Sequence, residues 1–192
     1  MMISARTILT ATSLTLGLAL AACSNDAEAP AAQDEPERAY MAADSAPATA
    51  QALLRTADGK DAGSVTATQE EGGIRLAINA TGMSAGEHGI HVHMTGKCEG
   101  PKFESASGHW NPMGAKHGLN NPQGQHSGDM PNLVVASDGS GRMDYLLDEA
   151  QLDQMLDADG AALVIHAKAD DQKTDPSGDS GDRLACGVFT RG

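Results

Sequence analysis

From Gln51 onward, apolar and polar residues alternate in short runs cut by turn dipeptides, and no other feature constrains the fold as much. The first four runs are Gln51–Thr56, Ser64–Gln69, Ile74–Ala80 and Gly89–His93. The last four are Leu133–Ser137, Met143–Leu147, Ala161–Ala167 and Leu184–Phe189. A period of two sends alternate side chains to a core and to water, the signature of half-buried strands. Asp58-Gly59, Gly72-Gly73 and Asp138-Gly139 supply the residues that tight hairpins favour. Eight short strands with hairpin-sized gaps predict an all-β, antiparallel sandwich or barrel. A chain with 22 glycines and only 3% aromatic residues suits such a turn-rich fold better than a helical bundle. The stretch Asp148–Asp157 reads as a short helical turn or a loop.

Two gaps, Met94 to Asn132 and Lys168 to Arg183, are too long for hairpins. Loops of that length in a compact domain are functional or disordered, and these two are rich in potential metal ligands. A functional role is therefore expected of both. The formal charge of −13 argues against nucleic acid or an anionic membrane surface as a general partner.

The first residues read as an address. Arg6 precedes an apolar run from Ile8 to Ala22, which ends in small residues before Cys23. This is the pattern of a secretory signal over residues 1–22. Leu20-Ala21-Ala22-Cys23 resembles the bacterial lipobox, in which the cysteine is lipidated and becomes the new N-terminus. Ordinary cleavage, leaving Cys23 as an incidental thiol, is the alternative. Ser24 after the cysteine points to the outer membrane. Residues 23–47, dominated by Ala, Asp, Glu and Pro, carry too little apolar surface to order themselves and read as a flexible tether. The domain is then 48–192, and loss of Arg6 with the leader takes the net charge to −14.

Most of the seven histidines fall in one region. His91 and His93 sit one residue apart on a strand, so their imidazoles share a face while Val92 points the other way. That pair alone is as consistent with two surface histidines as with a metal. The loop beyond it changes the balance. His109, His117, His126 and Asp129 lie among prolines, glycines and asparagines with little apolar content. A metal held by three imidazoles and a carboxylate would order that loop, and this donor set suits tetrahedral zinc. His166 ends a strongly apolar strand, where a lone histidine is more often a hydrogen-bonded core residue than a ligand.

These residues together resemble the bacterial copper/zinc superoxide dismutases. The resemblance rests on Gly89-Ile90-His91-Val92-His93, Gly108-His109-Trp110-Asn111-Pro112, Lys116-His117-Gly118, His126-Ser127-Gly128-Asp129, His166-Ala167-Lys168-Ala169-Asp170-Asp171, and the run from Gly178 through Val188. It spans roughly residues 48 to 190 in the family's order and implies an eight-stranded Greek-key barrel, an immunoglobulin-like sandwich with two long functional loops. It further implies that His91, His93, His109 and His166 bind copper and that His109, His117, His126 and Asp129 bind zinc, with His109 shared. Asp170 would link His91 to His117 and fix their tautomers. His88 would be a non-ligand histidine bonded to backbone. Cys98 and Cys186 would form a disulfide, constraining the unfolded chain by about 4–5 kcal/mol. Two free buried thiols are the alternative. Trp110, Lys97 and Asp179 depart from the commoner family pattern, and none of the three is a ligand position.

The implied activity is disproportionation of superoxide to O₂ and hydrogen peroxide by Cu(II)/Cu(I) cycling in the bacterial cell envelope, periplasmic or anchored to the outer membrane. His109 would carry a proton, and Arg183 would attract and orient the anion. Because the chain is so acidic, steering must be local, and Lys168 and Lys173 are candidates to help. Superoxide is thus the expected partner, with no nucleic acid, membrane contact only through Cys23, and a monomeric or homodimeric assembly. A copper chaperone or storage module on the same scaffold is the rival reading. A zinc hydrolase is disfavoured because four protein donors leave no open zinc position.

Overall fold

The structure, a computed structural model, describes residues 46–192. The expected leader, Cys23 and all of the tether except Ala46 and Pro47 lie outside the described residues. Strand β1 (Thr49–Thr56) turns through Asp58-Gly59 into β2 (Asp61–Glu70), and Gly72 leads into β3 (Gly73–Ala80). Ala50, Ala52 and Leu54 on β1 face inward, as do Ile74, Leu76 and Ile78 on β3. On β2 both Ala62 and Val65 are buried, although three residues apart. A register shift opposite Leu54 and Arg55 makes this possible, because a bulge flips the parity of the strand.

Two short strands follow, β4 (Gly86–His88) and β5 (Ile90–His93), then β6 (Leu133–Val135), β7 (Gly141–Asp148), β8 (Ala162–His166), β9 (Arg183–Val188) and β10 (Thr190–Arg191). The order across the sheet is β4-β6-β7-β3-β2-β1-β9-β8-β5, every pair antiparallel, with β10 added beside β1. The first and last strands of that path, β4 and β5, are separated only by Gly89. The sheet therefore curls into a nearly closed barrel whose ends meet through the chain itself. Strands consecutive in sequence lie far apart in the order at β5→β6 and β7→β8, which are Greek-key crossovers.

All eight expected runs lie on strands. The two additions are β4, cut from β5 at Gly89, and β10, each too short to carry a periodic signal. The Asp148–Asp157 segment contains one helical turn, α1 (Leu152–Met155), seated on the core by Leu152 and Met155.

The barrel interior is filled by Leu54, Val65, Ile74, Leu76, Ile78, Ile90, Val92, Leu133, Leu147, Leu163 and Ile165. Burial of each such side chain stabilises by about 1.5–3 kcal/mol. Strand β8 is buried at all five positions because it is covered on both faces. Leu163 and Ile165 face the barrel, whereas Ala162 and Val164 join Phe103, Ala106 and Cys186 in a second cluster beneath the first long loop. That double burial explains the near-continuous apolar run at Ala161–Ala167. The Cys98–Cys186 disulfide fastens the same loop to β9 across a sequence separation of 88.

Candidate metal centre

On β5, Ile90 and Val92 enter the core, so His91 and His93 face outward toward the first long loop. Among the described residues the outer edge of β5 pairs with no other strand, and the loop supplies a partner. Val92 N–H donates to Gly128 O (3.0 Å), Trp110 N–H to Val92 O (2.8 Å), and Met94 N–H to Gly108 O (3.0 Å). Bridges pair His91 with Asp129 and His93 with His109. The backbone ladder thereby delivers His109 and Asp129 beside the strand histidines. At Gly128 a Cβ would collide with the Val92 carbonyl, so only glycine permits this approach. Trp110, one of the unusual residues, is buried against the core and anchors the same segment.

Four imidazoles converge from β5, the loop and β8. His91, His93, His109 and His166 each point one ring nitrogen to a common centre, within 4.8 Å of one another. Those nitrogens are His91 Nδ1, His93 Nε2, His109 Nε2 and His166 Nε2, and all four are buried without a hydrogen-bond partner. Buried nitrogens left orphaned together are costly unless they share a ligand, and four imidazole donors suit copper. The opposite nitrogens fix each ring. His93 Nδ1–H donates to Ser107 O (2.9 Å), His166 Nδ1–H to Gly181 O (3.2 Å), and His91 Nε2–H to Asp170 Oδ2 (2.6 Å). Burial holds these rings neutral, with the lone pair free for a metal: His109 is pushed down to about 4 and His166 to about 3, and His91 and His93 are also lowered.

A second set shares His109. Its Nδ1 and those of His117 and His126 lie 2.8, 3.1 and 3.3 Å from Asp129 Oδ1, and His126 Nδ1 lies 3.3 Å from His109 Nδ1. Donors at zinc bond lengths of roughly 2.0–2.1 Å form a tetrahedron with edges of about 3.3 Å, so the spacing is close to what zinc requires. Asp129 Oδ2 accepts from Gly118 N–H (2.8 Å) and His126 N–H (3.0 Å), which aims Oδ1 at the imidazoles. Burial opposes the Asp129 charge, but the three histidines outweigh it and hold the carboxyl well below its usual range. His117 is likewise disfavoured as a cation by burial, yet contacts with Asp129 and Asp170 raise it to about 9.

Asp170 joins the two sets, with Oδ1 3.0 Å from His117 Nε2 and Oδ2 on His91. Gly178 packs so closely on this carboxylate that a Cβ would overlap Oδ1. His88 lies outside both clusters, its Nδ1 2.7 Å from His166 O and its Nε2 2.9 Å from Ser84 O and 3.3 Å from Ser84 Oγ. Asp179 has φ +51, in the left-handed region that Asp and Asn both tolerate, so aspartate fits there.

A cleft of about 360 Å³ opens onto the four-histidine centre, lined by His93, His109, His166, Pro176, Ser177 and Arg183. The Arg183 guanidinium is half-buried and donates to Phe103 O and Ser107 O, both at 2.6 Å. Lys168 and Lys173 do not line the cleft. A larger groove of about 860 Å³ beside β1 and β9 holds none of the clustered histidines or aspartates.

Some contributors carry no recognisable sequence signal. The carbonyls of Phe103, Ser107 and Gly181 orient Arg183, His93 and His166. Asn132 bonds the Asp170 backbone in both directions, Nδ2 to O at 2.9 Å and Asp170 N–H to Oδ1 at 2.7 Å. Asp175 accepts from His117 N–H (2.7 Å) and Lys116 Nζ (2.6 Å).

Fold and site together define a β-barrel protein with two adjoining clusters of potential metal donors that share His109. The description of the copper/zinc superoxide dismutase family matches residues 61–189. A copper-zinc superoxide dismutase of Aquifex aeolicus is 40% identical over 146 residues, covering 73% of this chain and 85% of that protein. One from Caulobacter vibrioides is 40% identical over 148 residues, with the same coverage of 73% and 85%. The crystal structure of a superoxide dismutase-like protein from Bacillus subtilis superposes with a TM-score of 0.70 at 37% identity, covering 73% of this chain and 97% of that one. The chain belongs to the copper/zinc superoxide dismutase family. It is an oxidoreductase acting on superoxide, and its cofactors are copper and zinc.

Proposed function

We propose that His91, His93, His109 and His166 hold copper, that His109, His117, His126 and Asp129 hold zinc, and that Arg183 guides superoxide to the cleft. The observation that carries this reading is the convergence of four orphaned, neutral imidazole nitrogens at the floor of the cleft. Copper, when bound, supplies the one-electron oxidation and reduction that disproportionation requires, while zinc, which has no redox chemistry, supplies fixed positive charge. The balanced reaction takes two superoxide anions and two protons to O₂ and hydrogen peroxide.

The protein's own groups do the rest. His109, which lines the cleft, would take up and give back a proton at Nε2 when that nitrogen is not engaged by copper, while Nδ1 stays among the zinc donors. Asp170 keeps His91 and His117 in the tautomers that present Nδ1. Arg183, fixed on two carbonyls, presents positive charge at the rim of a protein whose overall charge repels anions. The folded domain is assigned to residues 48–192, exported by the 1–22 leader and tethered through Cys23 and residues 23–47 in the cell envelope, as a monomer or homodimer without nucleic acid. The test is superoxide disproportionation by the disulfide-bonded protein with both metals quantified in the same sample. Fast, copper-dependent turnover is expected; full occupancy of both metals without turnover would discard the dismutase reading and promote a copper-handling module on the same scaffold.

A further inference from the structure

His117 is gripped by the second long loop at three points. Asp175 Oδ1 accepts its backbone N–H at 2.7 Å, Asp170 Oδ1 takes its ring Nε2–H at 3.0 Å, and Gly178 packs against the ring. The other oxygen of Asp175 accepts from Lys116 Nζ at 2.6 Å, so one carboxylate spans two consecutive residues of the first loop. Pro176 and Ser177, directly after Asp175, form part of the cleft wall. The loops meet again where Asn120 N–H donates to Gln172 O (3.0 Å) and Asn121 Nδ2 to Lys173 O (3.2 Å).

We propose that Asp175 is a positioning residue that sets the backbone of His117 for metal binding and ties the cleft wall to that centre. The inference rests on the assignment of His117 to zinc. The two halves of the carboxylate are not equal in this role. The Lys116 ion pair is exposed on both sides and contributes little. The bond to the His117 N–H is part-buried and fixes the main chain from which the imidazole hangs. Removing it frees His117 to rotate away from Asp129 while leaving β5, β8 and the four-nitrogen centre in place. An asparagine at 175 still offers Oδ1 to that N–H, so it preserves the contact without the charge.

The experiment uses full-length, copper-loaded, disulfide-bonded protein and the variants D175A, D175N and K116M. Zinc affinity is read by chelator competition, and centre geometry by the visible spectrum of cobalt bound at saturation in place of zinc. D175A is expected to lose zinc affinity on the order of tenfold or more, the range typical of groups that orient ligands, and to alter the cobalt spectrum. D175N and K116M are expected to stay within about twofold of the parent, since exposed pairs of this kind contribute little. D175A with parental zinc affinity and an unchanged cobalt spectrum overturns the inference. So does an equal loss of copper and zinc affinity, which marks general destabilisation. Equal losses in K116M and D175A would move the effect to the ion pair and also overturn it. Failure of the parent protein to bind cobalt at all would overturn the zinc assignment itself, and the inference with it.

Discussion

Reduction of the Cys98–Cys186 bond separates two jobs that the disulfide performs. The bridge closes a loop of 88 residues. On the chain-entropy argument, opening it restores about 4–5 kcal/mol of conformational freedom to the unfolded chain. For a domain of this size that corresponds to a fall in Tm of roughly 10–20 °C. The second job is local. Cys186 lies three residues after Arg183 on β9, and Cys98 lies on the loop whose Phe103 and Ser107 carbonyls hold the guanidinium. Without the bridge, the loop is held near β9 by the packing of Phe103 and Ala106 and by these two hydrogen bonds. Reduced protein is therefore expected to turn over more slowly while retaining copper, because the four-nitrogen centre draws on β5, β8 and His109. The assay is denaturant unfolding of metal-loaded protein with and without a thiol reductant, alongside initial rates and copper content. A stability loss below about 1 kcal/mol refutes the entropic reasoning. An unchanged rate in fully reduced protein refutes the link between bridge and arginine.

Arg183→Ile is expected to slow turnover roughly tenfold or more at low salt with metal content unchanged, and a rate equal to the parent's would remove the steering role. Asp170→Asn puts an N–H where His91 or His117 now donates, so zinc affinity should drop roughly 10–100-fold in a chelator competition. The pH dependence follows from His117, raised to about 9 in the metal-free protein. Its contribution to metal-free stability is fully present below the ordinary histidine value and is lost as pH rises through about 9. Zinc must displace that proton, so zinc binding near pH 7 should release one proton from His117, with affinity rising about tenfold per pH unit until about 9. Calorimetry in buffers of different ionisation enthalpy measures this, and zero release contradicts the assignment.

The strands were legible because alternation persists over five or more residues, as in Ile74–Ala80, and because turn dipeptides punctuate them. The break at Gly89 was not, since Gly86–His88 is too short for any period to show. The cluster of His109, His117, His126 and Asp129 could be read from residue type and order, whereas His166 joined the other histidines only through the family resemblance, since a lone histidine on an apolar strand carries no ligand signal. Which nitrogen of each ring faces the centre could not be read, because it is decided by carbonyls at Ser107 and Gly181 and by Asp170, and a carbonyl has no letter of its own. Asn132 and Asp175 escaped for a related reason: each acts on the main chain of a ligand-holding residue, and side chain-to-backbone bonds leave no pattern in composition or spacing. The lysines of the second loop show the converse, since charge could be counted in sequence but its distance from the cleft could not.

The barrel has a seam, and the seam has a consequence for the protein before it is loaded. Strand β5 ends the sheet path, and among the described residues its outer edge is covered by loop segments around His109 and Asp129. The rungs that fasten those segments, His91 with Asp129 and His93 with His109, join the same residues whose side chains are proposed to hold the metals. Loading thus seals an edge strand by the pairs that build the centre. Stripped of metal, the chain keeps only a few backbone bonds over a buried, hydrophobic strand edge, and such an edge is a template for another copy's strand. Protein short of copper and zinc is therefore expected to self-associate more readily than the loaded form, and light scattering before and after chelation measures the difference.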